Sequence, residues 1–130
     1  MLHAFRLRPG QDLKQSLQAL VRERGWKAAY LAACAGSLRR ACLRFADQSE
    51  AWVCEDRFEI VSLSGTLCPD GLHLHIALAG RDGSVTGGHL LDGCLIYTTA
   101  EVVIGELPGY AFRRLHDPDT GYAELAVEEL

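Results

Sequence analysis

One stretch of this chain repeats its apolar residues at helical spacing, and almost everything after it repeats them at the spacing of strands. Leu13, Leu17, Leu20 and Val21 recur at i, i+4, i+7 and i+8, which gives a helix one buried stripe. Asp12 is placed to cap its start and Gly25 to stop it, while Lys14, Gln15, Gln18, Arg22 and Glu23 fill the wet face. Ahead of the helix, residues 2–8 alternate and end at Pro9-Gly10 as a short strand with a turn. From Ala28 onward the pattern predicts a strand over Tyr30 to Ala35, a break at Gly36-Ser37, and Arg40 to Phe45 as its partner. Arg57 to Leu67 and Leu72 to Ala79 flank Pro69-Asp70-Gly71 and read as a hairpin. Cys94 to Glu106 is a long apolar run stopped by Pro108-Gly109, and the tail offers two strands, one before His116 and one across Tyr122 to Val127. One helix against many strands predicts an α+β domain, with the helix packed on one face of a central, mainly antiparallel or mixed sheet.

At 130 residues and 48% hydrophobic content, one core is the economical solution, so residues 1–130 are expected to form a single domain. A formal net charge of -4 is the wrong sign for strong autonomous binding to a phosphate backbone by counterion release. The local arginine clusters (Arg6 and Arg8, Arg22 and Arg24, Arg39, Arg40 and Arg44, Arg113 and Arg114) therefore read first as solvated charges at element ends. Five cysteines without a Cys-x-x-Cys spacing describe reduced, mostly buried thiols. No run has the length of a signal peptide or a membrane span, so a cytoplasmic location without a membrane partner is expected.

The chemistry gathers on histidine. In Leu72 to Ala79, period-2 alternation puts Leu72, Leu74, Ile76 and Leu78 on one face and His73, His75, Ala77 and Ala79 on the other. Same-face neighbours in a strand lie roughly 6.5–7 Å apart at Cα, a gap two imidazoles close on one metal ion. His89 follows Gly87-Gly88, where positive φ or close backbone approach would bring a third imidazole back to that face. Three histidines with room for a fourth ligand suit a catalytic or exchangeable zinc site, since structural sites are usually closed by four protein ligands. Spacing alone equally fits a polar outer face of an edge strand with His89 in a loop. His3 and His116 read as ordinary surface histidines.

At Arg57-Phe58-Glu59-Ile60 through Leu67, then His73-Leu74-His75, then Gly87-Gly88-His89-Leu90, the sequence resembles the PPC (plant and prokaryote conserved) domain family. Arg6 to Gly10, Ala35 to Leu38 and Thr98 to Val102 extend the likeness over nearly the whole chain. The resemblance implies a homotrimer with a DNA-associated, regulatory role. It also implies a protein-contact segment at Arg57 to Ile60, which points to DNA or a DNA-binding protein as partner. No Arg-Gly-Arg-Pro hook is present. More remotely, the family resembles acetolactate decarboxylase, whose zinc is held by a His-x-His pair and a later histidine. That implies Zn2+, or another divalent transition metal, on His73, His75 and His89. The expected reading is a non-enzymatic module. Its alternative is a metal-dependent lyase or hydrolase acting on a small oxo-acid or ester, for which Glu101 and Arg6 are the candidate partners of the metal.

Overall fold

The computed structural model describes all 130 residues. In chain order the elements are β1 (Leu2–Leu7), α1 (Leu13–Arg24), β2 (Ala29–Arg44), β3 (Ala51–Cys54), β4 (Phe58–Cys68), β5 (Gly71–Ala79), β6 (Val85–Leu90), β7 (Leu95–Glu106), β8 (Tyr110–His116) and β9 (Ala123–Glu129). Every strand pairing is antiparallel, so the α+β expectation holds.

The helix forms where the periodicity puts it. The Asp12 side chain accepts from the Gln15 backbone N–H, and Gly25 closes the other end in the left-handed conformation. Leu13, Leu17 and Val21 are fully buried, and burial of each such side chain contributes about 1.5–3 kcal/mol. They join a core of 24 residues that runs beneath the sheet through Leu38, Leu43, Leu67, Leu78, Ile96 and Ile104. No helix is long and apolar enough to cross a membrane.

Seven strands form one sheet in the order β1-β7-β2-β4-β5-β6, with β3 added to β2. The end of β2 also pairs with β6, Leu43 opposite Leu90 and Arg44 opposite His89. The strands β2, β4, β5 and β6 therefore close into a small ring. This closure corrects two expectations. Gly36-Ser37 does not break the chain into two partnered strands: β2 runs on for 16 residues, bent by register shifts against β7 at Leu31/Ala33, Gly36/Leu38 and Leu38/Arg40. Gly36 serves that packing, because a Cβ there would collide with the Thr99 carbonyl and with Ala100. Secondly, His89 belongs to strand β6, not to a loop, and β5 is an interior strand with a neighbour on each side.

β8 and β9 make a separate two-stranded hairpin. It docks through Phe112, which is buried against Ala28 and Cys68, and through the Phe112 N–H donated to the Lys27 carbonyl at 3.0 Å. All five cysteines are free: Cys42, Cys68 and Cys94 are buried and Cys34 and Cys54 half-buried. His116 is exposed as expected, but His3 is not. In β1 it is His3, Phe5 and Leu7 that turn inward. The His3 ring packs 4.7 Å from that of Trp26, and its Nε2 lies 3.3 Å from Glu106 Oε2.

Candidate metal centre

Along β5, Leu74, Ile76 and Leu78 are buried while His73 and His75 are exposed, as alternation dictates. Residues directly opposite in an antiparallel pair project to the same face. His89 stands opposite His75, Thr66 opposite His73 and Ser64 opposite His75, and Arg44 opposite His89. Three imidazoles, two hydroxyls and a guanidinium thus share one side of the ring. The ring centroids are 5.1 Å apart for His73 and His75, 5.4 Å for His73 and His89, and 4.7 Å for His75 and His89. One nitrogen from each histidine lies within 4.8 Å of the other two. Ligand nitrogens around tetrahedral zinc stand about 3.4 Å apart, from bonds near 2.05 Å. Rotations that move each nitrogen by the order of an ångström close the difference.

The two glycines act through space, not through positive φ, which neither adopts. A Cβ on Gly87 would stand 2.9 Å from the Ile76 carbonyl oxygen, and one on Gly88 would stand 2.7 Å from that of Arg44. Only bare backbone lets β6 fit between β5 and the end of β2 here. His89 reaches the other two histidines because of that fit.

Beside the histidines opens a cleft of about 900 Å³, lined among others by Arg44, Asp47, His73, His89, Arg114 and Glu124. Arg114 comes from β8. Its Nη2 donates to Thr66 Oγ1 at 2.8 Å, while its Nε is buried without a partner. Burial first, then the positive charge of Arg114 and the neighbouring His75 ring, hold His73 below the ordinary imidazole value. Burial first, then Arg44, does the same to His89. Both rings are therefore neutral at physiological pH, the form that offers a lone pair to a metal. None of the three makes a hydrogen bond to a protein group, so their nitrogens are free for an outside ligand.

The structure thus brings together His73, His75 and His89. It does not bring Arg6 or Glu101 to them: these face each other across β1 and β7, Arg6 is held by Thr98 and Thr99, and neither residue lines the cleft. Sequence reasoning passed over Arg44, Arg114 and Thr66. Arg44 is foreseeable only with the ring closure in hand, and no local signal marks Arg114, 25 positions beyond His89 on a separate hairpin. In the segment Arg57 to Ile60, Phe58 and Ile60 are buried core residues. Arg57 and Glu59 are exposed, with the Arg57 guanidinium 4.5 Å from the Tyr97 ring centroid.

A single helix on a ring-closed antiparallel sheet, with three histidines on one face, defines a class of small β-rich domains. Within it, residues 1–108 match the model of the Plants and Prokaryotes Conserved (PCC) domain, and the chain belongs to that family. The chain is 50% identical over 129 residues to the bifunctional protein GlmU of Synechococcus sp. (strain JA-3-3Ab), covering 99% of this chain and 21% of that protein. It thus spans about a fifth of that relative's length. The AT-hook motif nuclear-localized protein 8 of Arabidopsis thaliana is 29% identical over 112 residues, covering 79% of this chain and 29% of that protein. Among solved structures, a hypothetical protein from Salmonella enterica superposes with a TM-score of 0.97 at 41% identity, covering 99% of this chain and 94% of the other. A metal-containing protein from Archaeoglobus fulgidus does so with a TM-score of 0.83 at 30% identity, covering 97% and 93%.

Proposed function

We propose that this chain is a DNA-associated regulatory module that holds a divalent transition metal, zinc in the first instance, on His73, His75 and His89, and that it assembles as a homotrimer. One observation carries the metal reading: three imidazoles without a protein partner converge within 4.8 Å on one face of the β5–β6 pair. The description of the Archaeoglobus relative as metal-containing supports it. A metal that binds the folded chain and not the unfolded one stabilises it by about 2.7 kcal/mol at a hundred times its dissociation constant. A thermal scan with zinc and with chelator tests this. Zinc should raise the melting temperature and chelator reverse the rise, and a variant with all three histidines replaced by alanine should respond to neither. No zinc-dependent shift in the wild type, or an equal shift in the triple variant, overturns the assignment.

The AT-hook relative supports an association with DNA. The net charge of -4 favours a contact that this domain makes through a protein partner, met by the exposed Arg57 and Glu59. Tight, steeply salt-dependent binding of a DNA duplex by the isolated chain would overturn the partner-mediated route. For the trimer, Tyr30, Val61 and Tyr97 are exposed apolar residues whose strand neighbours Leu31, Ile60 and Ile96 are buried, a surface that assembly would cover. Light scattering that returns the mass of a monomer overturns it.

A second reading, a metal-dependent lyase or hydrolase acting on a small oxo-acid or ester, is favoured by the open cleft beside the histidines and by the absence of a fourth protein ligand. A bound metal would supply Lewis-acid polarisation of a carbonyl there. Turnover of such a substrate that is lost with chelator would establish this reading over the first.

A further inference from the structure

Beside the histidines the cleft is lined by two arginines, Arg44 and Arg114. Arg44 stands beside His89 because the closure of β2 on β6 sets them in register. Arg114 stands beside His73 because its Nη2 is tied to Thr66, the cross-strand neighbour of His73. Asp47 and Glu124 also line the cleft, yet neither pairs with a guanidinium. The ion pairs of the chain are His3–Glu106, Arg40–Glu55 and Arg81–Asp56. Two arginines thus line the histidine site without an ion pair of their own, Arg114 held in place by Thr66.

Arg114 carries the stronger indication. Its Nε is shut off from water and has no acceptor, although a buried charged donor is normally satisfied, and leaving one unmet costs more than an ordinary hydrogen bond returns. That atom is closed to solvent, so an anion entering the cleft would meet the guanidinium on its cleft-facing side, and its charge would offset the unmet donor without touching it. The hairpin that delivers it, β8 and β9, lies beyond residues 1–108, the part matched to the PCC domain. The cationic wall is therefore built partly by a segment beyond the matched residues 1–108.

We propose that the cleft binds a small organic carboxylate, its carboxylate held by Arg44 and Arg114 and a second oxygen directed at the metal on His73, His75 and His89. The inference rests on the metal reading above and adds the chemical class of what enters beside it. The cleft's size, about 900 Å³, falls in the range of small-molecule sites. Planar guanidiniums match carboxylate geometry. Three protein ligands leave a metal with a position open to a ligand oxygen.

The test uses cobalt in place of zinc, because its visible absorption reports both uptake and changes in coordination. Cobalt is first titrated into the wild-type chain, and then malonate, pyruvate and inorganic phosphate are each added to the loaded protein. Malonate or pyruvate should change the cobalt spectrum saturably. Arg44→Leu should take up cobalt normally yet bind the carboxylate at least about ten-fold more weakly. Arg114→Lys, which keeps a cation near Thr66 if the hairpin tolerates no larger change, should weaken it by a smaller factor. A wild-type protein that takes up cobalt but ignores both carboxylates overturns this inference and leaves the metal reading standing, as does carboxylate binding unaltered in Arg44→Leu. Failure to take up cobalt overturns both. Arginine-dependent binding of phosphate in preference to either carboxylate replaces the carboxylate class with a phosphate one.

Discussion

Replacing Gly88 with alanine tests whether the ring closure is what sets the third histidine. An ideal Cβ at this position stands 2.7 Å from the Arg44 carbonyl oxygen, 3.2 Å from its carbon and 3.5 Å from Phe45 Cδ1. The first contact is short by more than half an ångström of normal packing, and it is made to backbone. Arg44 cannot withdraw without loosening the pairings of β2 with β3 and β6. Overpacking of this kind costs about 1–3 kcal/mol, and the upper end applies because no side chain can rotate away. Loss of glycine's freedom in the unfolded chain returns about 0.4–1 kcal/mol. The net is a destabilisation of about 2 kcal/mol, or a fall in melting temperature of about 8 °C for a domain this size. Gly109→Ala is the control, since nothing lies within 4 Å of a Cβ there. It should leave the melting temperature unchanged or slightly raised. Calorimetry of both variants with and without zinc reads the result, and in Gly88→Ala the zinc-induced rise should also shrink as His89 is pushed from its neighbours. A Gly88→Ala protein that melts within about a degree of wild type and keeps the full zinc response would refute the claim that bare backbone at this crossing positions His89.

Asp12 does two jobs, capping α1 through Gln15 and accepting from the Gly93 N–H at 2.7 Å. Asp12→Ala should therefore lower stability by about 1.5–2 kcal/mol in urea unfolding, and Asp12→Asn by less. The thiols of Cys34 and Cys94, both pushed up to about 11 chiefly by burial, should hold only about 0.1% thiolate at pH 8. Mass spectrometry after brief iodoacetamide treatment should find both unmodified in the native protein and all five cysteines modified in urea. Because His73 and His89 lie below the ordinary imidazole value when folded, the unfolded chain takes up protons first as pH falls through about 6.5. Their contribution is present above that pH and lost as pH drops towards the folded values, so urea midpoints of the metal-free protein should decline between pH 7 and pH 5. The decline should flatten in the variant with His73 and His89 both replaced by asparagine. Phe112→Ala should cost about 3 kcal/mol by emptying the small core under the hairpin, and proteolysis should then cut first between residues 108 and 123.

What the sequence disclosed and what it hid divide along the range of the interactions involved. The helix and its two caps, the hairpin of β4 and β5, the inward leucines and outward histidines of β5, and the two strands of the tail all rest on neighbours within a few turns or pleats. Each can be read locally. The continuity of β2 cannot, because Gly36-Ser37 has the composition of a break and behaves as one only if no strand lies close enough to need a bare backbone; β7 does. In the same way Gly87-Gly88 erases the β-branched signal by which β6 would be recognised, and the glycines that hide the strand are the ones that let it fit. His3 departs from the exposure expected of a polar residue because the buried indole of Trp26 offers its ring a partner.

The candidate site follows the same division, which bears on how its parts are coupled. His73 and His75 are fixed by two pleats of one strand, so any chain segment that keeps β5 keeps them as a pair. His89 and Arg44 depend on β6 reaching β2, a contact between residues 45 positions apart in the sequence, and Arg114 depends on a hairpin held mainly by Phe112. A metal spanning His75 and His89 would tie β5 to β6 at the point where the ring closes, and an anion spanning Arg44 and Arg114 would tie the ring to the hairpin. Ligand binding here would therefore stabilise the longest-range contacts of the fold more than its local ones. Hydrogen exchange should accordingly slow most in β6 and β8 when zinc and then a carboxylate are added, with α1 left nearly unchanged. Protection gained uniformly along the chain would mean that the site is a passenger on a fold already closed without it.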